Sequence, residues 1–221
     1  MSTSADLGRG LTGASQQAPT PANASGPTRL EAAGATTRSR IIETAERLFR
    51  QYGCHKTTVM DLAKALSMSP ANIYRFFHSK DAINEAVCRR LLDELLAVAS
   101  GTAYRDAPAK ERLRTLLAEL ARQNLERCRT DPALHELLAM ATRENWPAVA
   151  EHAERMVSIL AVIVADGMKQ GEFREGDARR AGRCVHAAMT RFLHPALALE
   201  CETFSQPTLD DMLEFCLAGL R

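Results

Sequence analysis

The sequence predicts an all-α protein, a small N-terminal three-helix unit followed by a larger C-terminal helical body. Three observations carry that prediction. Apolar residues recur at helical spacing from Thr36 onward, no stretch alternates as a strand would, and Thr57 to Lys80 holds two short helices separated by a tight turn. A composition of 46% hydrophobic and 25% charged residues excludes a chain disordered throughout. The longest apolar stretch, Met156 to Ala165, is far shorter than the ~20 residues a bilayer span requires. The opening thirty residues offer no basic head followed by an apolar run, so the expectation is a cytoplasmic protein with no membrane partner.

Residues 1–35 contain 24 Ala, Gly, Ser, Thr or Pro, too little apolar surface to offset ordering entropy, and are expected to form a disordered tail. Ile41, Ile42, Ala45, Leu48, Phe49 and Tyr52 then mark one face of a helix that Gly53 should end. Further helices are expected over 58–66, 69–77, 80–100, 109–129, 132–142, 147–168, 177–199 and 207–219. Breaks are expected at Gly101, Asp131-Pro132, Trp146-Pro147, Gly171 with Gly176, and Gln206-Pro207. Phe49, Tyr52, Phe76 and Phe77 are expected to form the core of the small unit.

The informative region reads TTVMDLAKALSMSPANIYRFFHSK. Thr58 followed by Asp61 has the form of a capping box, and Ser69-Pro70 supplies an N-cap and a proline at the first helical position. Only Ser67 and Met68 separate the two helices, so they must cross steeply, and small Ala63 suits a close crossing. Ser67 stands where such turns usually have glycine. The pattern is that of a helix-turn-helix that reads DNA.

Charge agrees. Residues 36–80 carry eight basic and three acidic side chains, a surplus of five, whereas residues 81–221 carry 18 basic and 22 acidic ones. A basic front on a mildly acidic body is the footprint of a nucleic-acid reader, and the total of +1 conceals it.

From about Arg38 to Ala86 the chain resembles the N-terminal domain of TetR-family transcriptional regulators, through FRQYG, TTV, DLAKAL, MSPANIYRFF and SKDAI. The resemblance implies a DNA-binding domain over 36–82 and a regulatory and dimerisation domain over 83–221. Its residues transfer as follows: Ser69 caps the reading helix, Ala71 lets it seat in the major groove, and Asn72 reads a base edge, flanked by Pro70 and Arg75. Thr58, Tyr74, His78 and Lys80 hold phosphates, and Arg38 and Arg40 reach the backbone from the first helix. The chain departs from the family pattern at Phe76, where the family often has His, which leaves a phosphate contact there to Arg75 or His78.

In family members the larger domain dimerises and holds a small-molecule effector. The stripes Cys184, Val185, Ala188, Met189, Phe192 and Leu209, Met212, Leu213, Cys216, Leu220 would build a four-helix homodimer interface. Cys128, Met140, Trp146, Met156, Met189 and Phe192 are the candidate lining of a pocket for an apolar or amphipathic effector. The segment Phe192-Leu193-His194-Pro195 is similar to that of some proteobacterial regulators of multidrug efflux genes.

The expected function is a ligand-released repressor of efflux genes or its own gene, acting as a homodimer on a palindromic double-stranded operator, with the helix starting at Lys80 as hinge. Activation by the same fold, and a helical interaction module without DNA binding, are the alternatives. Hydrolase, zincin, dinucleotide and phosphate-loop motifs are missing from the sequence, so neither an enzyme nor a cofactor is expected. The six cysteines form no C-x-x-C pair and are expected to be reduced. Cys184 and His186 stand two apart, hence on different helix faces, and His135 and His152 read as surface or satisfied core groups; no metal is expected.

Overall fold

The computed structural model describes residues 29–194, 197 and 207–221, with side chains from Gly34 onward. Within them lie nine helices and no strand: α1 (Arg29–Tyr52), α2 (Val59–Leu66), α3 (Pro70–Tyr74), α4 (Lys80–Ala103), α5 (Ala109–Thr130), α6 (Pro132–Arg143), α7 (Pro147–Lys169), α8 (Ala178–Leu193) and α9 (Leu209–Leu220). The expected tail lies outside the described residues as far as residue 28. From Arg29 to Ala35 it is helical instead, because Ala32, Ala33 and Ala35 are strong helix formers joined to the front of α1.

Two other boundaries differ from expectation. Gly101 does not break α4, which runs on to Ala103. Glycine inside a helix costs only about 0.5–1 kcal/mol relative to alanine, and full burial of Ala99 and Ala103 outweighs it. Conversely, α8 stops at Leu193, short of 199. His194 precedes Pro195, whose ring disfavours helical geometry in its neighbour, and His194 is extended at φ −91°, ψ 123°. Gly53 ends α1 as expected, at φ +85°.

Packing divides the molecule into two hydrophobic clusters. The first joins α1, α2, α3, the front of α4 and α6, through Ile41, Phe49, Leu62, Ile73, Val87, Leu134 and Leu137. The second joins the back of α4 to α5, α7, α8 and α9, through Leu96, Leu117, Leu160, Val164, Met189 and Leu217. Burying side chains of this size contributes roughly 1.5–3 kcal/mol each. The division falls within α4, between Leu92 and Leu96, and Leu95 packs against both clusters. The small N-terminal unit therefore shares its core with α6. Tyr52 is not in that core: it is 54% exposed, one turn past buried Phe49, where α1 runs out of neighbours.

Polar contacts tie the same elements. Arg90 on α4 pairs with Glu43 and Glu46 of α1, while adjacent Arg89 pairs with Glu151 of α7. Arg50 of α1 reaches Asp131 at the start of α6, 2.9 Å away. The start of α5 follows Pro108, which has no side-chain acceptor, and Glu172 serves instead, accepting from the N–H groups of Ala109 (2.8 Å) and Lys110 (3.0 Å). On α8, Gly182 lies against the α7 backbone, where an added Cβ would stand 3.0 Å from the Ala161 nitrogen.

Candidate nucleic-acid interface and effector cavity

The turn between α2 and α3 is set by local chemistry. Thr58 and Asp61 form a reciprocal capping box at α2: the Asp61 N–H donates to the Thr58 hydroxyl (3.2 Å), and Asp61 accepts from the Thr58 N–H (2.8 Å). Hydrogen bonds from the Thr58 hydroxyl and from the Thr58 N–H hold the Asp61 carboxyl below its usual range. Ser67 closes α2 in the left-handed region at φ 53°, ψ 42°, the conformation for which glycine is usual. Ser69 then caps α3 by accepting from the Asn72 N–H at 3.2 Å, with Pro70 at the first helical position. The regular helix ends at Tyr74, although Phe76 and Phe77 both still donate to the Ile73 carbonyl and carry the turn to residue 77.

Ile73 is fully buried and anchors α3, which turns its other residues outward. Ser69, Pro70, Ala71, Tyr74, Arg75 and His78 are exposed, and Asn72 is half-buried. Thr58 is exposed, but its hydroxyl also donates to Asp61, 2.7 Å away. Lys80 is half-buried and donates to the His55 carbonyl at 3.4 Å. Arg38 and Arg40 are exposed on α1, and the Arg38 guanidinium stands over the Phe77 ring, 4.5 Å from its centre. Of the eleven candidate DNA contacts, nine lie between Thr58 and Lys80, on α3, its flanks and the starts of α2 and α4; Arg38 and Arg40 lie midway along α1, where Arg38 meets the unit through Phe77. No carboxylate is among them.

A second site lies in the body. Leu92 and Leu95 (α4), Leu120 and Asn124 (α5), Leu138 and Thr142 (α6), Val149, His152, Ala153 and Met156 (α7), and His186, Thr190, Leu193 and His194 (α8 and its end) enclose a cavity of about 130 Å³. Its walls are mostly aliphatic and, among the described residues, hold no Asp, Glu, Lys or Arg. Asn124 is fixed by donating to the Phe192 carbonyl, 3.1 Å away. Burial, with help from His186 and Arg155, pushes the His152 imidazole down to about 4, against Asp93 and a hydrogen bond to the Leu92 backbone. Burial likewise lowers His186, against Glu154. His152 Nδ1 has no hydrogen-bond partner among the described residues.

Of the six candidate lining residues, only Met156 faces this cavity. Met140 lies in the cluster shared with α1 to α3. Trp146 packs at the edge of that cluster, with its indole N–H donating to Glu144 at 2.9 Å. Met189 is fully buried in the second cluster and Cys128 is buried on α5. Phe192 lines a separate surface groove with Leu125 and Leu209. Adaptable side chains are common in any core, and here residue type points to helix faces other than those that line this cavity. The signal in the sequence was polarity on an apolar face: His186 and Thr190 stand four apart on α8, with His194 four further on just past its end, and His152 stands between Val149 and Met156 on α7.

Cys184 is exposed and lines a groove of about 540 Å³ between α8 and α9, on a different face from His186. Half of the two apolar stripes is buried internally, Val185, Met189, Leu213, Cys216 and Leu220 lying in the second cluster, and Ala188, Phe192, Leu209 and Met212 pack partly against it. Phe215 stands out from α9 at 69% exposure beside the groove. Cys54, Cys88, Cys128 and Cys216 are buried free thiols, and burial pushes Cys88 up to about 12. Cys201 lies outside the described residues.

A capped helix, a left-handed turn and a short proline-initiated helix with an outward polar face, set in a basic surface, define a helix-turn-helix DNA-binding protein. Comparison with known proteins makes this more particular. Residues 41–87 match the family of bacterial regulatory proteins named for tetR, and residues 109–213 match the tetracyclin repressor-like C-terminal domain. The regulator YhgD of Bacillus subtilis is 31% identical over 146 residues, covering 62% of this chain and 72% of the relative. The regulator RutR of Escherichia coli is 22% identical over 196 residues, covering 83% and 90%. The crystal structure of Thermus thermophilus FadR, a TetR-family repressor in complex with lauroyl-CoA, shares the fold at a TM-score of 0.60 and 23% identity, covering 83% and 92%. The chain belongs to the TetR family of transcriptional regulators. No helix among the described residues is long and apolar enough to cross a membrane.

Proposed function

We propose that the protein is a ligand-released repressor that acts in the cytoplasm as a homodimer on a palindromic operator. The observation that carries this reading is the sharing of α4: its front is packed into the DNA-reading unit, and Leu92 and Leu95, where its two clusters meet, line the effector cavity. A ligand that binds one tilt of α4 better than another shifts the placement of α3, which is what release requires. Allosteric couplings of about 1–3 kcal/mol suffice.

Within that reading Asn72 contacts a base, Pro70, Ala71 and Arg75 border it, and Arg38, Arg40, Thr58, Ser69, Tyr74, His78 and Lys80 hold the sugar-phosphate backbone. The groove between α8 and α9, with exposed Phe215, supports dimerisation through these two helices. Two copies of α3 would then enter successive major grooves on one side of the duplex. Efflux genes and the protein's own gene are the proposed targets.

Selection of bound fragments from genomic DNA with the purified protein tests the reading. Symmetric sites beside a transporter gene or the protein's own gene are expected, with affinity falling steeply as salt rises. Recovery of no enriched site, or a flat salt dependence, would overturn it.

A further inference from the structure

We propose that the cavity between α4, α5, α6, α7 and α8 takes a small monocarboxylic acid of about one ring's bulk, paired through its acid group with Nδ1 of His152 and carrying one proton into the complex. This rests on the reading of the cavity as the effector site and adds the ligand's chemical class.

Size sets the first limit. The cavity measures about 130 Å³, and an apolar protein cavity of roughly 150 Å³ holds a benzene molecule. One ring or a short branched chain fits; a long acyl chain or a fused polycycle does not. Seven of the lining side chains are Leu, Val or Met, so most of the ligand must be apolar.

Polarity sets the second limit. Among the described residues the lining holds no acidic side chain, so they offer a cationic ligand no counter-charge. It holds three histidines, Asn124, Thr142 and Thr190, which can bond a carboxyl group. The histidines are not a metal site, since no group of three or more His, Cys, Asp or Glu side chains among the described residues could hold a metal ion. His152 Nδ1 is buried and has no hydrogen-bond partner among the described residues, an acceptor awaiting an acidic O–H.

The proton balance follows. Burial keeps His152 neutral near pH 7, whereas a carboxylic acid in water is ionised there. An unprotonated carboxylate facing a neutral imidazole in an apolar wall would be an uncompensated buried charge. Binding of the anion therefore takes up one proton, shared between the carboxyl oxygen and Nδ1. The surrounding charges leave little net field on that proton. Asp93 of α4 pairs with Arg155 of α7 at 2.6 Å, and Glu154 of α7 pairs with Arg179 of α8 at 2.8 Å. His186 and His194 face the cavity from α8 and its end, and α5 and α6 present only Asn124 and Thr142 among polar groups.

Isothermal titration of the purified full-length protein with benzoate tests this, between about pH 6 and 8 and in buffers of different ionisation enthalpy. One proton taken up per site is expected, with affinity falling about tenfold per pH unit. His152→Leu should abolish benzoate binding at millimolar concentration, and the uptake with it, while His186→Leu should weaken binding and keep the slope. His152→Gln is the second variant, and unchanged circular dichroism confirms that each is folded. Benzyl alcohol binding as tightly as benzoate, an unchanged slope in His152→Leu, or no benzoate heat from the parent protein at millimolar concentration would overturn the inference. Benzoate bound with proton uptake on a protein that keeps its operator sinks the release reading and leaves this one standing.

Discussion

The DNA-reading surface and the cavity are built in opposite ways. The surface around α3 is encoded within a few turns of chain: Thr58, Ser67, Ser69, Pro70 and Ile73 fix its geometry through caps, a left-handed turn and one anchor. The cavity takes residues from five helices, Leu92 and His194 being its outermost members in sequence, and no local bond fixes its shape. One is a motif that spacing can reveal. The other is a remainder, the space left where five helix faces fail to meet, and it changes whenever one helix shifts.

Phe49→Ala puts the largest strain on that contrast. Phe49 is fully buried in the first cluster, and its truncation should cost about 3–5 kcal/mol in urea denaturation. Because Leu138 belongs to the same cluster and also lines the cavity, the protein should still unfold in a single transition. Two separate transitions would show that surface and cavity are independent after all.

Asn72→Ala should act on the surface alone. Loss of a bidentate base contact costs roughly 1–3 kcal/mol of discrimination in competition gel shifts, with thermal stability unchanged. Equal operator selectivity in the variant would remove Asn72 from base reading.

His152 gives the cavity a signature in pH. Its folded-state value of about 4 lies below the ordinary 6.5, so the unfolded chain binds the proton first. This group's stabilising contribution is complete above about 6.5 and declines as the pH falls from there toward about 4. His152→Leu should therefore lose less Tm than the parent protein across that window, and identical acid profiles would refute the assignment.

The smallest effect belongs to the turn. Ser67→Gly relieves a left-handed serine and should raise stability by about 0.5–1 kcal/mol, readable in the urea midpoint, with operator affinity retained.

The helices were largely legible from periodicity and punctuation, because Asp131-Pro132 and Trp146-Pro147 act within one turn of chain. Gly101 misled because a local propensity of under about 1 kcal/mol gives way to the burial of Ala99 and Ala103. Tyr52 misled because periodicity reports a face of the helix and not how far along it the neighbours extend. The same limit scattered the cavity residues. Met140 and Met189 have the type expected of a pocket, yet both pack solidly, and whether a buried side chain meets a partner or a void is decided by helices distant in sequence.

The division of α4 between two cores has a consequence in plain geometry. From Leu92, at the cavity wall, to Lys80, at the edge of the DNA-reading surface, the helix rises about 18 Å at ~1.5 Å per residue. Pivoted at Leu92, a tilt of about 10° would carry the Lys80 end through about 3 Å, close to the rise of one base pair. Two such levers in a dimer would move apart by twice that distance. In the proposed dimer, a molecule the size of a single ring would thus be large enough to put the two reading helices out of step with the grooves they would enter together.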